Sequence, residues 1–242
     1  HAVFAAGNDA VGAYTVTVQG TQEIRDIHID SGDVTFQGGN LNLNQGDNVA
    51  EVRILSVGHK TADAVARFNT VLSGATNAGI IRYKQGIMIF GATNTYAGPT
   101  KIEGGILRLG APQVMPTNSM LILANNDTTR TDYNPVWQYT PATFETDGFS
   151  QQLGALKLTG NEPSVQRVID FGIGSSALAF ANSSVEDWGS HVLTLVNFTP
   201  GSDTLRFGTN NSGLTLVQLE LMRFSDFFDL PGRIDSNGFV IP

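Results

Sequence analysis

The chain has 242 residues, enough for one large domain or two small ones, and its 22 acidic and 14 basic side chains give a formal net charge of −8. An acidic chain without a basic cluster argues against nucleic acid and anionic membrane surfaces as partners. The lack of cysteine rules out a disulfide framework, a thiolate metal site and a cysteine nucleophile. Charged residues make up only 15% and glycines number 27, a mix that suits a turn-rich all-β protein better than a helical one.

The chain opens on His1-Ala2-Val3-Phe4 with no signal-peptide pattern, as a mature terminus after cleavage or an excised piece would. Residues 1–12 are small and polar apart from Val3 and Phe4, and read as an N-terminal arm. Regular alternation starts at Ala13, with Tyr14, Val16 and Val18 separated by threonines, and continues through Ile27/Ile29, Val34/Phe36 and Leu41/Leu43. The last three pairs start at residues 27, 34 and 41, with Gly32 and Gly38-Gly39 between them. Such a seven-residue step predicts a three-sided winding of about 21 residues per turn, within the range of solenoid repeats. A hairpin meander shows the same alternation, but these strands carry only two or three inward residues each. Asn40, Asn42 and Asn44 are expected to face outward, where side-chain amides hydrogen-bond along a stack. From Val49 to Leu72 the spacing loosens through Val52/Ile54, Val57, Val65 and Phe68/Val71, and Lys60–Arg67 reads as a short helical turn on a loop.

Ile80 to Leu123 is dense in short apolar pairs: Ile87/Ile89, Ile102, Leu107/Leu109 and Leu121/Leu123, punctuated by Gly91, Gly98-Pro99, Gly104-Gly105 and Gly110. The alternation predicts that Leu107, Leu109, Leu121 and Leu123 point inward and stack with Ile87 and Ile89. The run from Phe90 to Gly110, FGATNTYAGPTKIEGGILRLG, resembles the autotransporter-associated β-strand repeat, G-A-N-T-Y-T-G-x-T-x-I-x-x-G-x-L-x-L-G, with Thr93 inserted and Ala97 in place of Thr. The resemblance implies a parallel β-helix in secreted or surface proteins of Gram-negative bacteria, and it brings no catalytic residues with it. Asp147-Gly148-Phe149-Ser150-Gln151-Gln152-Leu153-Gly154-Ala155-Leu156 is similar to a second run of that family, N-G-F-S-x-x-L-G-x-L.

Between these two runs the pattern breaks. Residues 125–141, NNDTTRTDYNPVWQYTP, are polar, hold Pro135 and Pro141, and cluster Tyr133, Trp137 and Tyr139. A long insertion in a solenoid maps to a loop on one face, often the binding face. The three aromatics suit a sugar-stacking platform, or Trp137 packs down and staples the loop. Short apolar strands resume through Phe144, Phe149, Leu153, Leu156, Leu158, Val168/Ile169/Phe171 and Leu178/Phe180. Near the end, Trp188, Val192–Val196 and Thr204–Gly208 read as strands. Thr215 with Gln218 forms a capping-box signal, and Leu214, Val217, Leu221 and Phe224 fall at helical spacing, which predicts one helix over 215–222. This stretch resembles the C-terminal end of surface proteins that carry the same repeat and close with a PEP-CTERM-type sorting tail; the tail itself is absent from this sequence.

Catalytic patterns are scarce. His1, His28, His59 and His191 have no metal-ligand spacing, although His1 at a mature terminus has the chemistry to chelate copper with a second histidine. Asp30-Ser31-Gly32-Asp33 is a carboxylate-bearing turn without calcium-loop spacing, and reads as an Asx turn. Asp26, Asp30 and Asp33 with Arg25 are the nearest candidates for acid–base chemistry on a polysaccharide.

The fold expected is all-β: a single-stranded right-handed parallel β-helix, a three-sided solenoid, over residues 13–187 with the insertion at 125–141. Residues 188–242 form a C-terminal strand–helix cap. The role expected is that of a non-enzymatic, cofactor-free structural protein, extracellular or on the outer surface. It would self-associate head-to-tail into a filament or surface layer through Val3, Phe4 and Tyr14 at an uncapped first edge. The alternative is an adhesin or glycan-binding module using Tyr133, Trp137 and Tyr139; a polysaccharide-degrading enzyme comes third.

Overall fold

The computed structural model describes residues 2–4, 12–43, 53–57, 64–75, 78–124, 140–161 and 165–242, with 2–4 and 53–57 described by backbone alone. The described residues are nearly all β and fall into three sheets. The first has seven strands in the order β1 (Ala2–Phe4), β4 (Ile27–Ile29), β6 (Arg53–Val57), β8 (Ile80–Tyr83), β11 (Thr100–Ile102), β13 (Leu121–Ala124) and β16 (Leu156–Thr159). The main path of the second runs β2 (Ala13–Thr17), β5 (Asp33–Asn42), β7 (Val65–Gly74), β9 (Ile87–Phe90), β12 (Gly105–Leu109), β14 (Ala142–Glu145), β17 (Arg167–Asp170), β19 (Leu193–Val196) and β21 (Met222–Phe224). Two short strands join its side, β3 (Thr21–Glu23) on β5 and β10 (Thr95–Tyr96) on β7. The third sheet is ordered β15 (Gln151–Leu153), β18 (Ala177–Phe180), β20 (Thr204–Phe207), β23 (Phe239–Ile241) and β22 (Arg233–Ile234).

Every pairing in the first two sheets is parallel, which requires a crossover between partners. Here the crossover is a visit to another sheet: the chain alternates between the first and second, and from β14 onward it includes the third. The sequence separation of partners varies. Ile102 pairs with Leu123, 21 residues on, but Ile169 pairs with Leu195, 26 on, and Phe180 with Phe207, 27 on. The expected length of about 21 therefore fits the first pairing of the second sheet, Tyr14 with Val34, and the middle of the chain, but not Val34 with Ala66, 32 residues on, or the later pairings. The seven-residue step near the start also has another origin. Val34/Phe36 and Leu41 lie on one long strand, β5, whose register with β7 shifts between Gln37 and Asn40.

Strict register lines up the core. On the second sheet one inward column runs Tyr14, Val34, Ala66, Met88, Leu107, Phe144, Ile169, Leu195, Phe224. All of these are buried except Tyr14, which is partly buried on the outermost strand. Beside it, Phe36 stacks on Phe68 at 4.9 Å between ring centroids, Phe68 meets Phe90 edge-on, and Leu109 follows. Leu107, Leu109, Leu121 and Leu123 are fully buried, as expected. Ile87 and Ile89 are not their partners: Leu107 pairs with Met88 and Leu109 with Phe90, and the two isoleucines point outward. The run Ile-Met-Ile-Phe is apolar on both faces, so alternation does not choose between them; register with β7 and β12 does. In the same way β7 buries Ala66, Phe68, Thr70 and Leu72 and turns Val65 and Val71 to the other face, and Val65–Arg67 is strand rather than helical turn, residues 60–63 of that expected turn lying outside the described residues. The expected amide ladder is not seen at Asn40 and Asn42, whose register neighbours are Thr21 and Val71, and Glu23 and Ser73; Asn44 lies outside the described residues.

The repeat-like run has a specific internal logic. The Asn94 side chain accepts from the Leu72 amide (2.8 Å) and donates to the Val114 carbonyl (2.9 Å), tying three successive segments. Tyr96 is fully buried, and its hydroxyl meets Thr100 Oγ1 at 2.6 Å. Thr100 Oγ1 meets Ser119 Oγ at 3.0 Å, and Ser119 donates to the Gly98 carbonyl. Burial pushes the Tyr96 pKa up, against the opposing pull of the Thr100 and Ser119 hydrogen bonds. Gly98 passes so close to the preceding segment that a Cβ would lie 2.6 Å from the Ala78 carbonyl carbon.

Two buried arginines hold corners. Arg82 sits at an inward position of the first sheet, in register with Ile102, and donates to the carbonyls of Lys84, Gly86 and Gly104. Burial pushes its pKa down to about 9, so it stays charged at neutral pH. Arg167 donates to the Thr159 carbonyl (3.0 and 2.9 Å) and to that of Val165 (2.7 Å).

Candidate functional site

The aromatic cluster Tyr133, Trp137 and Tyr139 lies outside the described residues. The other expected contact residues fall at one end of the stack. Val3 and Phe4 belong to β1, which pairs in parallel with Ile27–Ile29, so part of the expected arm is a strand, outermost in the first sheet. Tyr14 lies on β2, outermost in the second, and partial burial raises the pKa of its hydroxyl. Among the described residues, β1, β2 and β3 each have a strand neighbour on one side only.

The opposite end is closed by different groups on each sheet. Beyond β16, the last strand of the first sheet, the Leu156 amide donates to Ser183 Oγ (2.9 Å). The Leu156 carbonyl accepts from the indole Nε1 of Trp188 (3.1 Å), and the Thr159 carbonyl accepts from Arg167. Trp188 is buried in a loop rather than on the expected strand, and occupies the place of a further rung. The third sheet is closed by β23 and β22, both antiparallel. On β21, the Phe224 amide donates to the Leu230 carbonyl and the Phe224 carbonyl accepts from the Asp229 amide, each at 3.1 Å.

The expected helix is present over Leu216–Glu220 with its capping box between Thr215 and Gln218. It is shorter than the predicted 215–222, because Met222–Phe224 pairs as β21 with β19. Its buried face is Gln218 and Leu219 rather than Val217, since the side-chain Nε2 of Gln218 donates to the carbonyls of Ser183 and Glu186, both at 2.9 Å. Leu216 and Val217 therefore face solvent at 79% and 62% exposure, and Phe228, in the left-handed region at φ 57°, is 99% exposed.

Asp33 forms an ion pair with Arg67, one strand further along the second sheet, and Asp26 is buried with Arg25 3.8 Å away. Among the described residues no three His, Asp or Glu side chains gather in a metal-binding group, and no helix is long and apolar enough to cross a membrane.

A groove of about 390 Å³ on the outside of the third sheet was not visible to motif reasoning. Its floor is the in-register column Gln152, Ala179, Arg206, and its wall includes Asn182 and Asn210. The Arg206 Nε donates to the Gly208 carbonyl at 2.8 Å, and its guanidinium lies 5.9 Å from the ring centre of Phe239 on β23. Asn182 Oδ1 accepts from the amide and hydroxyl of Ser184, and Asn210 Oδ1 does the same with Ser212. The available signal was a 27-residue period, which places 152, 179 and 206 in one column and which short-range alternation does not sample.

Comparison with protein-family models, curated proteins and solved structures gave no match to the chain.

Proposed function

We propose that the protein is a non-enzymatic structural element of a bacterial exterior, built as a right-handed, three-sided parallel β-helix. The observation that carries this reading is the column from Tyr14 to Phe224, nine residues in register on successive parallel strands. Stacked strands of this kind make a quasi-one-dimensional rod in which each unit depends on its neighbours. The pairing of Asp33 with Arg67 supports a structural rather than a catalytic role for that carboxylate. The resemblance of Phe90–Gly110 to a repeat of secreted and surface proteins supports the location.

Head-to-tail self-association remains part of this reading, with a changed contact. Several backbone groups on the C-terminal edges already have partners, Leu156 on β16 and Phe224 on β21, which disfavours strand addition there. The tail instead offers the side chains of Leu216, Val217 and Phe228 to the edge formed by β1 and β2. Unlike surfaces meeting this way propagate rather than close. Sedimentation velocity across a concentration series tests it: the intact chain forms larger species, while Phe228→Asp and a chain lacking residues 1–12 stay monomeric. An intact chain that is monomeric at every concentration overturns the self-association.

A further inference from the structure

We propose that the groove on the third sheet, floored by Gln152, Ala179 and Arg206, is a binding site for a carboxylated saccharide. The depression exists because alanine occupies the middle position of the column, between two long side chains. The groove lies on the face of the sheet, and β18, its central strand, is paired on both sides. A peptide therefore has no edge to join as an added strand, and recognition there runs through side chains.

Those side chains present donors. The bond from Arg206 Nε to the Gly208 carbonyl fixes the guanidinium plane, and its two terminal nitrogens have no partner among the described residues. Two such nitrogens in a fixed fork match the two oxygens of a carboxylate. In Asn182 and Asn210 the Oδ1 atom is occupied by a serine two residues on, which leaves Nδ2 as the free end of each amide. The Gln152 amide is exposed at the other end of the column. One fixed cation with several amides at the successive-strand spacing of about 4.8 Å suits an extended ligand rich in hydroxyls that carries an acid group. Phe239 beside the guanidinium adds an apolar surface for a ring face.

The net charge of −8 does not oppose this locally. None of the groove's lining residues is acidic, and charges more than about 8 Å away are largely screened at physiological ionic strength.

The test is calorimetric titration of the full chain with an oligogalacturonate, a neutral cello-oligosaccharide of equal length and a heparin-derived sulfated oligosaccharide. Arg206→Gln and Ala179→Leu are compared with the wild type, each checked for an unchanged thermal midpoint. The oligogalacturonate binds the wild type, and Arg206→Gln weakens it at least about tenfold, the scale of a lost charge-assisted hydrogen bond. Ala179→Leu, which fills the floor without touching a donor, weakens it as well. No binding of the oligogalacturonate, equal binding of the neutral chain, or affinity unchanged in Arg206→Gln overturns the site. A sulfated chain that binds more tightly than the oligogalacturonate overturns the assignment to a carboxylate.

Discussion

Met88→Ala and Ile89→Ala, neighbouring truncations on one strand, separate inward from outward more sharply than any single core mutation. Met88 is fully buried and lies in register between Ala66 and Leu107. Its truncation leaves a cavity that the close-packed column cannot collapse, a loss of about 2–5 kcal/mol. Ile89 lies in register between Arg67 and Arg108 on the outer face and is only partly buried. It gives up about half of the ~2–3 kcal/mol that full burial of an isoleucine contributes, about 1 kcal/mol. The assay is urea unfolding followed by far-ultraviolet circular dichroism, with the change in stability taken from the midpoint at unchanged slope. Met88→Ala shifts the midpoint at least twice as far as Ile89→Ala. Equal shifts, or a larger one for Ile89→Ala, would show that β9 faces the other way and would refute the register argument for the whole second sheet.

Three further outcomes follow from the same geometry. Trp188→Phe keeps most of the ring but leaves the buried Leu156 carbonyl without its donor, and lowers stability by about 1–3 kcal/mol in the same urea assay. Gly105→Ala costs more than about 1 kcal/mol, because φ is +64° there and a Cβ would meet the Arg82 guanidinium; an unchanged urea midpoint would contradict both reasons. Burial, with the charge of Arg167 second, holds the His191 pKa below its ordinary value, so the unfolded chain takes up a proton first as the pH falls. Stability contributed by neutral His191 is therefore lost as the pH drops through the ordinary histidine range near 6.5, and His191→Gln flattens the thermal midpoint between pH 7 and 5.

Alternation made the core legible wherever one face of a strand is polar. Ile27/Ile29, Val34/Phe36 and Leu107/Leu109 all point inward as read, since threonine, histidine, arginine and glutamine alternate with them. It was silent on Ile87–Phe90, where both faces are apolar and only contact with adjacent strands chooses. Arg82 was invisible for the opposite reason: hydropathy assigns a charge to solvent, whereas here the carbonyls of two successive corners take up its donors. The Thr215–Gln218 capping box was local and therefore readable, but the helix's buried face was not, because Gln218 is drawn inward by carbonyls more than 30 residues away. The groove around Arg206 is set by register over two 27-residue steps, a distance at which neighbouring residues carry no information.

The most direct test of the proposed β-helical stack is a set of distances along its outer face, measured by pulsed electron spin resonance between paired nitroxide labels. The chain has no cysteine, so labels go only where they are introduced. Thr15, Thr35, Arg67, Ile89, Arg108, Glu145, Asp170 and Val196 form one outward column in register. At about 4.8 Å per strand, labels at 35 and 170 lie about 24 Å apart, those at 35 and 196 about 29 Å, and those at 15 and 196 about 34 Å. Increments of about 5 Å per rung, whatever the sequence separation, are the result predicted. In a meander of consecutive strands, 35 and 196 would be separated by more than twice that distance, and such a value would contradict the account.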